Sequence, residues 1–205
     1  MGVSKQKKVW DNIAKEWSEF KKPGYKTLEF VKAQTGKILD LGSGSGRYLI
    51  KKKNLKFYLV DFSEEMIKLA KKNAKKLKAD AEFFVSELYE LEFKDNFFDA
   101  AICTDALHCI ETKQKRQKTL AELFRVLKPG AKAKISVWNK NTKRFKNSPK
   151  ERTVKWLDKG ARYYYLYEPE EFYNELKKAG FKIIEKPLPN LELPVIVEKP
   201  KLTSS

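Results

Sequence analysis

The 205 residues, 41% hydrophobic and 13% aromatic, are enough to bury one core and too apolar for a disordered segment. Two cysteines and one histidine cannot assemble a usual four-ligand zinc site, and no apolar run is long enough to cross a bilayer. Lys and Arg number 44 against 27 Asp and Glu, a net charge of +17 that points either to a polyanionic partner or to lysine-covered faces; charge alone does not separate the two.

The polar start through Lys8 has no apolar stretch behind it and does not read as a signal peptide, and Gln6 does not fit a myristoylation site. A cytoplasmic protein with reduced Cys103 and Cys109 is the expectation, with Cys103 buried. Val9, Ile13, Trp17 and Phe20 space the buried face of a helix over residues 4–20, and Pro23-Gly24 punctuates it. A second helix is expected over 26–33, a short strand over 37–41, a glycine loop, and a helix over 46–53. Residues 55–60 read as the second strand. Ser63 caps the next helix, with Glu64 and Glu65 favourable to its dipole and Ile67, Ala70, Ala74 and Leu77 as its buried stripe. Strands follow over 82–85 and 98–103, then a helix marked by Leu120, Leu123, Phe124 and Leu127 and stopped by Lys128-Pro129-Gly130. A fifth strand spans 133–138, a helix 169–179, and two last strands 181–184 and 193–197, joined through Pro187 and Pro189 as an antiparallel edge hairpin.

Strands alternating with helices imply an α/β fold: a doubly wound, mostly parallel sheet with an antiparallel last strand and helices on both faces. One domain is expected, divided into amino-terminal helices over 1–34, a core over 36–138, an insertion over 139–162, and a carboxy-terminal helix and hairpin over 163–205. The insertion holds nine basic residues opposed only by Glu151 and Asp158, and includes Phe145 and Trp156. Basic residues interleaved with aromatics suit backbone phosphates and stacked bases.

The strongest motif is Asp40-Leu41-Gly42-Ser43-Gly44-Ser45-Gly46, between the first strand and the helix expected over 46–53. Its glycines let the backbone turn sharply and approach a ligand. It is neither the GxGxxG of dinucleotide folds nor a phosphate loop, since no Gly-Lys-Ser/Thr follows. Asp40, two positions before the first glycine, would repel a pyrophosphate and welcome an aminoacyl cation such as that of S-adenosylmethionine. Asp61, at the end of the second strand, can accept both hydroxyls of a ribose. Glu87 and Leu88 follow the third strand, where they would face an adenine. Ser43, Gly44 and Gly46 in the loop, Phe62 beside Asp61, and Thr104 after the fourth strand complete the cofactor-binding candidates.

Together, KILDLGSGSGRYL, YLVDFS, FFDAAICTDALH and ELFRVLKPGAKAKISVW resemble the class I S-adenosylmethionine-dependent methyltransferases over about residues 36 to 138. The resemblance implies a Rossmann-like seven-stranded sheet and S-adenosyl-L-methionine as cofactor. The flanks, VWDNIAKEWSEFKKPGY, ALHCIET, SVWNK and ARYYYLYEPEEF, resemble the tRNA wobble-uridine carboxymethyl methyltransferases. Ile13-Ala14, His108, Trp138, Arg162, Tyr163 and Tyr164 keep that pattern. Lys21 stands for Arg, Tyr25 for Trp, Cys109 for a second His and Tyr165 for a late His.

The resemblance implies methyl transfer to the carboxylate of a carboxymethylated uridine in a tRNA anticodon stem-loop, with a small zinc-ribbon activator adding a strand-edge contact near Phe83 and Phe84. Arg162 and Lys21 are the candidates to hold the carboxylate, and His108 to contact substrate. A methyltransferase acting on a metabolite or quinone precursor is the alternative, and an RNA-binding protein without catalysis is a third reading.

Overall fold

The computed structural model describes residues 5–186, 188 and 190–201. Ser4, at the expected start of the first helix, and the Pro187 and Pro189 connection lie outside the described residues.

The first two helices, α1 (Lys5–Phe20) and α2 (Tyr25–Ala33), precede β1 (Gly36–Leu41) and β2 (Leu55–Asp61). Then come α3 (Glu64–Leu77), β3 (Ala81–Val85), β4 (Phe98–Thr104), α4 (Lys113–Val126) and β5 (Leu127–Trp138). A two-stranded unit, β6 (Glu151–Lys155) and β7 (Ala161–Tyr165), interrupts the pattern before α5 (Pro169–Lys178), β8 (Lys182–Glu185) and β9 (Glu192–Glu198). Seven strands form one sheet in the order β3-β2-β1-β4-β5-β9-β8, in which β9 runs antiparallel to both its neighbours. The doubly wound expectation holds, with β9 as the reversed strand.

Alternation along β1 sends Ile38 to one face and Leu39 and Leu41 to the other, and each face has its own core. One joins Leu39, Leu41, Val60 and Ile135 to Leu120, Leu123 and Phe172 of α4 and α5. The other joins Ile38, Phe57 and Leu59 to Phe30, Val31 and Ala70 of α2 and α3. Ser63 caps α3: its Oγ accepts from the Met66 N–H at 3.1 Å and donates to Asp11 of α1 at 2.6 Å.

Several expectations change. Residues 46–53 form no helix. Gly46 sits at φ +74°, and consecutive turns follow, in which the Gly46 N–H donates to Ser43 and the Leu49 N–H to Gly46. The stretch before β2 is too short to repay helix nucleation, and it carries three adjacent like charges, Lys51, Lys52 and Lys53. Leu77 is exposed, and Met66 takes its place in the buried stripe of α3. Phe20, expected on the buried face of α1, is 64% exposed. Lys128-Pro129-Gly130 does not precede the fifth strand but lies within β5, at a register shift opposite Phe98 and Ala100. The insertion opens the β6–β7 hairpin, whose second strand runs past the insertion's expected end at residue 162 and whose alternation is masked by charge in Glu151-Arg152-Thr153-Val154-Lys155.

Candidate active site

One cavity opens beyond the carboxyl ends of β1, β2 and β4, where a parallel sheet of this kind receives ligands. The glycine loop forms its floor. The Gly42 and Ser43 N–H groups both donate to the Val60 carbonyl, which binds the loop to β2. Gly42 has φ +77°, and a Cβ there would lie 2.2 Å from Ala106 Cβ; only glycine fits. Gly44, at φ +52°, is different: a Cβ would meet only Met66 Sδ, at 3.8 Å, so its bare backbone faces open cavity. Gly46 does not line the wall; its Cβ position is filled by Leu49 and Leu59.

Two buried carboxylates stand at the strand ends. Asp61 accepts the Gly44 N–H through Oδ2 at 2.8 Å and the Ser63 N–H through Oδ1 at 3.0 Å. Burial pushes its pKa up to about 6, against the pull of those two donors. Burial pushes Asp40 further, to about 7, with Arg47 acting against the rise. Asp40 Oδ2 is buried without a hydrogen-bond partner among the described residues. An orphaned carboxylate oxygen beside a bare glycine backbone, with a second carboxylate at the next strand end, fits a ligand carrying an ammonium group and a ribose diol. The residues therefore fit S-adenosyl-L-methionine: Asp40 and the loop for its aminoacyl end, Asp61 for its ribose. Phe62, Glu87, Leu88 and Thr104, all cofactor-binding candidates, also line the cavity. Burial raises the Glu87 carboxyl above its ordinary value.

Two cations gather on a third carboxylate of the same cavity. Asp105 Oδ2 accepts from Lys21 Nζ at 3.0 Å and from Arg47 Nη2 at 2.9 Å. Burial alone would raise the Asp105 carboxyl, but Arg47 and Lys21 hold it well below the usual carboxylate range. Lys21 thereby ties the end of α1 to the end of β4, and Trp10 and Trp17 of the same helix close the cavity from above. The Lys115 ammonium, raised by its bond to the Tyr89 hydroxyl, completes the wall with Cys109 and Ile110.

Arg47 and Asp105 were not among the expected site residues. The signals were an arginine immediately after the last loop glycine and an acid immediately after the fourth strand, but their pairing across 58 positions has no local mark. Trp10, Trp17 and Cys109 line the cavity too and were not among the expected site residues.

Two expected residues stand behind the wall rather than on it. His108 is fully buried, its ring 5.3 Å from Trp138 and 5.4 Å from Tyr164, with no hydrogen-bond partner for either nitrogen among the described residues. Burial lowers its pKa to about 4, so it is neutral at physiological pH. Arg162 is 4% exposed, donates to the Tyr164 hydroxyl at 2.6 Å and packs against Trp10, Trp17 and Trp156. Its neighbours Tyr163, Tyr164 and Tyr165 are core residues. Phe145 is buried against Trp138 at 5.2 Å and presents no face to a base. Of the basic insertion, Lys150 and Lys159 are ion-paired and Arg162 is caged, whereas Lys143, Lys146 and Lys155 are exposed with no ion pair among the described residues. No cluster of three or more potential metal ligands occurs among the described residues.

Residues 38–130 match the family model described as a methyltransferase domain. The chain is 36% identical over 101 residues to the tRNA (carboxymethyluridine(34)-5-O)-methyltransferase of Arabidopsis thaliana, covering 49% of this chain and 24% of that one. The chain therefore spans about a quarter of that relative's length. A solved S-adenosylmethionine-dependent methyltransferase of Methanosarcina mazei superposes with TM-score 0.71 at 23% identity, over 87% of this chain and 99% of that one. A complex between the Haloferax volcanii Trm112 methyltransferase activator and a methyltransferase gives 0.73 at 18% identity over the full length of both chains. At such identities the likeness to the solved structures is one of fold.

Proposed function

We propose that this chain, which carries a methyltransferase domain of the S-adenosylmethionine-dependent type, methylates the carboxylate of a carboxymethylated uridine at a tRNA wobble position. When bound, S-adenosyl-L-methionine supplies a methyl group on a sulfonium, open to in-line attack by an oxygen. The chain's residues do the rest. Asp40 and Asp61 hold the cofactor's cationic and ribose ends, and Trp10 and Trp17 exclude water from above.

The observation that carries this reading is a wall without a histidine on which three cations stand among the carboxylates, two of them bound to Asp105. Lys21, Arg47 and Lys115 line it, while the single histidine is packed behind it. A neutral amine or hydroxyl acceptor needs a base tuned near neutrality. The wall groups in that range, Asp40 and Asp61, stand at the cofactor end beside the glycine loop. A carboxylate acceptor has a reference pKa of about 4 and is already ionised, so it needs positioning and no base. Lys21 and Lys115, from two different elements, draw it in through charge-assisted bonds. Arg162 supports Trp10 and Trp17 from behind. The exposed Lys143, Lys146 and Lys155 suit loop phosphates, and the tRNA named for the Arabidopsis relative supports the same substrate class. A small activator on the β3 edge, where Val85 is exposed, belongs to the same proposal.

The test is transfer from methyl-labelled cofactor to tRNA, with and without a candidate activator, read by nucleoside mass spectrometry. The expected product is an ester whose label leaves as methanol in mild alkali. Label that survives alkali rules out the ester. Turnover of a small molecule with none on tRNA, even with the activator present, favours the metabolite alternative.

A further inference from the structure

We propose that the exposed ring of Phe20, backed by Trp17 and Trp156, is a stacking platform for the unpaired nucleobase adjacent to the one that enters the cavity. This deepens the wobble-uridine reading and rests on it. Phe20 ends α1 and is 64% exposed, whereas Trp17, one turn earlier, lines the cavity. The Phe20 ring lies 6.0 Å from Trp17 and 5.5 Å from Trp156, those two lie 5.4 Å apart, and Trp10 lies 5.3 Å beyond Trp17. A continuous series of aromatic rings, packed mostly edge to face, thus runs from the surface to the cavity wall. Next to Trp156, at the hairpin tip, Leu157 is 78% exposed and held at φ +49°, a conformation a bulky side chain rarely adopts. Exposed apolar area and backbone strain at one site mark a surface shaped for a partner rather than for folding.

The charge beneath the platform identifies the partner. The Arg162 guanidinium carbon lies 4.7 Å from the Trp17 centroid and 4.9 Å from that of Trp156, and it pairs with no carboxylate among the described residues. A buried cation without a counter-ion extends its field through the rings to the surface. Residues 15–22 and 155–162 together carry six cationic and three acidic side chains, and Lys22 and Lys155 are exposed. A neutral apolar segment of protein would leave that field uncompensated. A single-stranded nucleotide brings a π-face for Phe20 and a phosphate for the lysines.

The experiment uses a synthetic anticodon stem-loop RNA carrying 2-aminopurine beside the wobble uridine. Wild type should quench the 2-aminopurine on binding. Phe20→Ala should abolish the quench and weaken RNA affinity about 5- to 150-fold, the range of one base–aromatic stack. Phe20→Trp should restore both, and cofactor affinity should be the same in all three. Phe20→Ala that binds and quenches like wild type overturns the platform while the wobble-uridine reading stands. An equal loss of cofactor affinity in Phe20→Ala makes the ring a structural element and also overturns the platform. A wild-type protein that does not bind the stem-loop overturns the wobble-uridine reading, and the platform with it.

Discussion

Across the cavity, the α/β core and its aromatic cap face each other, and each contributes to the site by different means. On the core side, the loop after β1 turns its backbone outward, and Asp40 and Asp61 project from adjacent strand ends. The key hydrogen bonds there, from the Gly44 and Ser63 N–H groups to Asp61, span at most 17 positions. On the cap side, α1 meets the β6–β7 hairpin through its own side chains, which reach both backbone and side chains of the hairpin. Gln6 accepts from the Tyr163 N–H at 3.0 Å, Glu16 pairs with Lys159, and Trp17 packs on Trp156. Short-range backbone geometry makes the core side rigid and specific for the cofactor. Long-range contacts made by the side chains of α1 hold the cap together, with no backbone ladder joining that helix to the hairpin among the described residues.

Substitutions should sort along that division. The largest effect is expected for Gly42→Ala, whose Cβ would lie 2.2 Å from Ala106 Cβ in a left-handed backbone. Strain and overpacking together should cost about 2–5 kcal/mol in urea unfolding. Gly44→Ala meets only Met66 Sδ and should cost about 1 kcal/mol of stability while reducing cofactor affinity more.

Next, Asp61→Ala should weaken S-adenosylmethionine binding by about 1–3 kcal/mol in calorimetry. Tight binding of a nicotinamide dinucleotide instead would break the assignment of the core.

The pH dependence follows from the raised carboxyls. The folded pKa values of Asp40 and Asp61, about 7 and about 6, lie above those of the unfolded chain, so the free folded protein holds protons that the unfolded chain releases. These two groups therefore make the free protein less stable as pH rises from about 4 to 7. A cationic ligand favours their ionised forms, so cofactor affinity should fall about tenfold per pH unit below 7 through Asp40. Asp40→Asn should flatten that profile; an unchanged profile assigns the titration elsewhere.

The smallest effect belongs to the exposed lysines. Lys143→Ala, Lys146→Ala and Lys155→Ala combined should make the slope of log affinity for tRNA against log salt shallower by about 2, at roughly 0.7–0.9 per phosphate no longer neutralised. An unchanged slope would make those lysines solvated surface.

The same division governs what the sequence could tell. Asp40, the glycines and Asp61 were legible because strand, loop and next strand lie within 22 positions and fix one another's geometry. The sheet was legible through its apolar strands. The cap was not. Arg162 and His108 stand out as polar residues in motif positions, but which side of the wall they occupy depends on Trp10, Trp17 and Trp138, brought there by distant packing. Phe145, set among basic residues, gave no sign that Trp138 would cover it. The expected helix over 46–53 failed because the positive φ of Gly46 and the short span to β2 outweigh a moderate local propensity.

The most direct test of the two-sided account is a crossed titration. Asp61→Ala and the triple lysine variant are each titrated by calorimetry with S-adenosylmethionine and with the anticodon stem-loop RNA. Asp61→Ala should lose cofactor affinity and keep RNA affinity, and the lysine variant should do the reverse. If both variants lose both ligands to the same degree, the core and the cap do not divide the work, and the account is wrong.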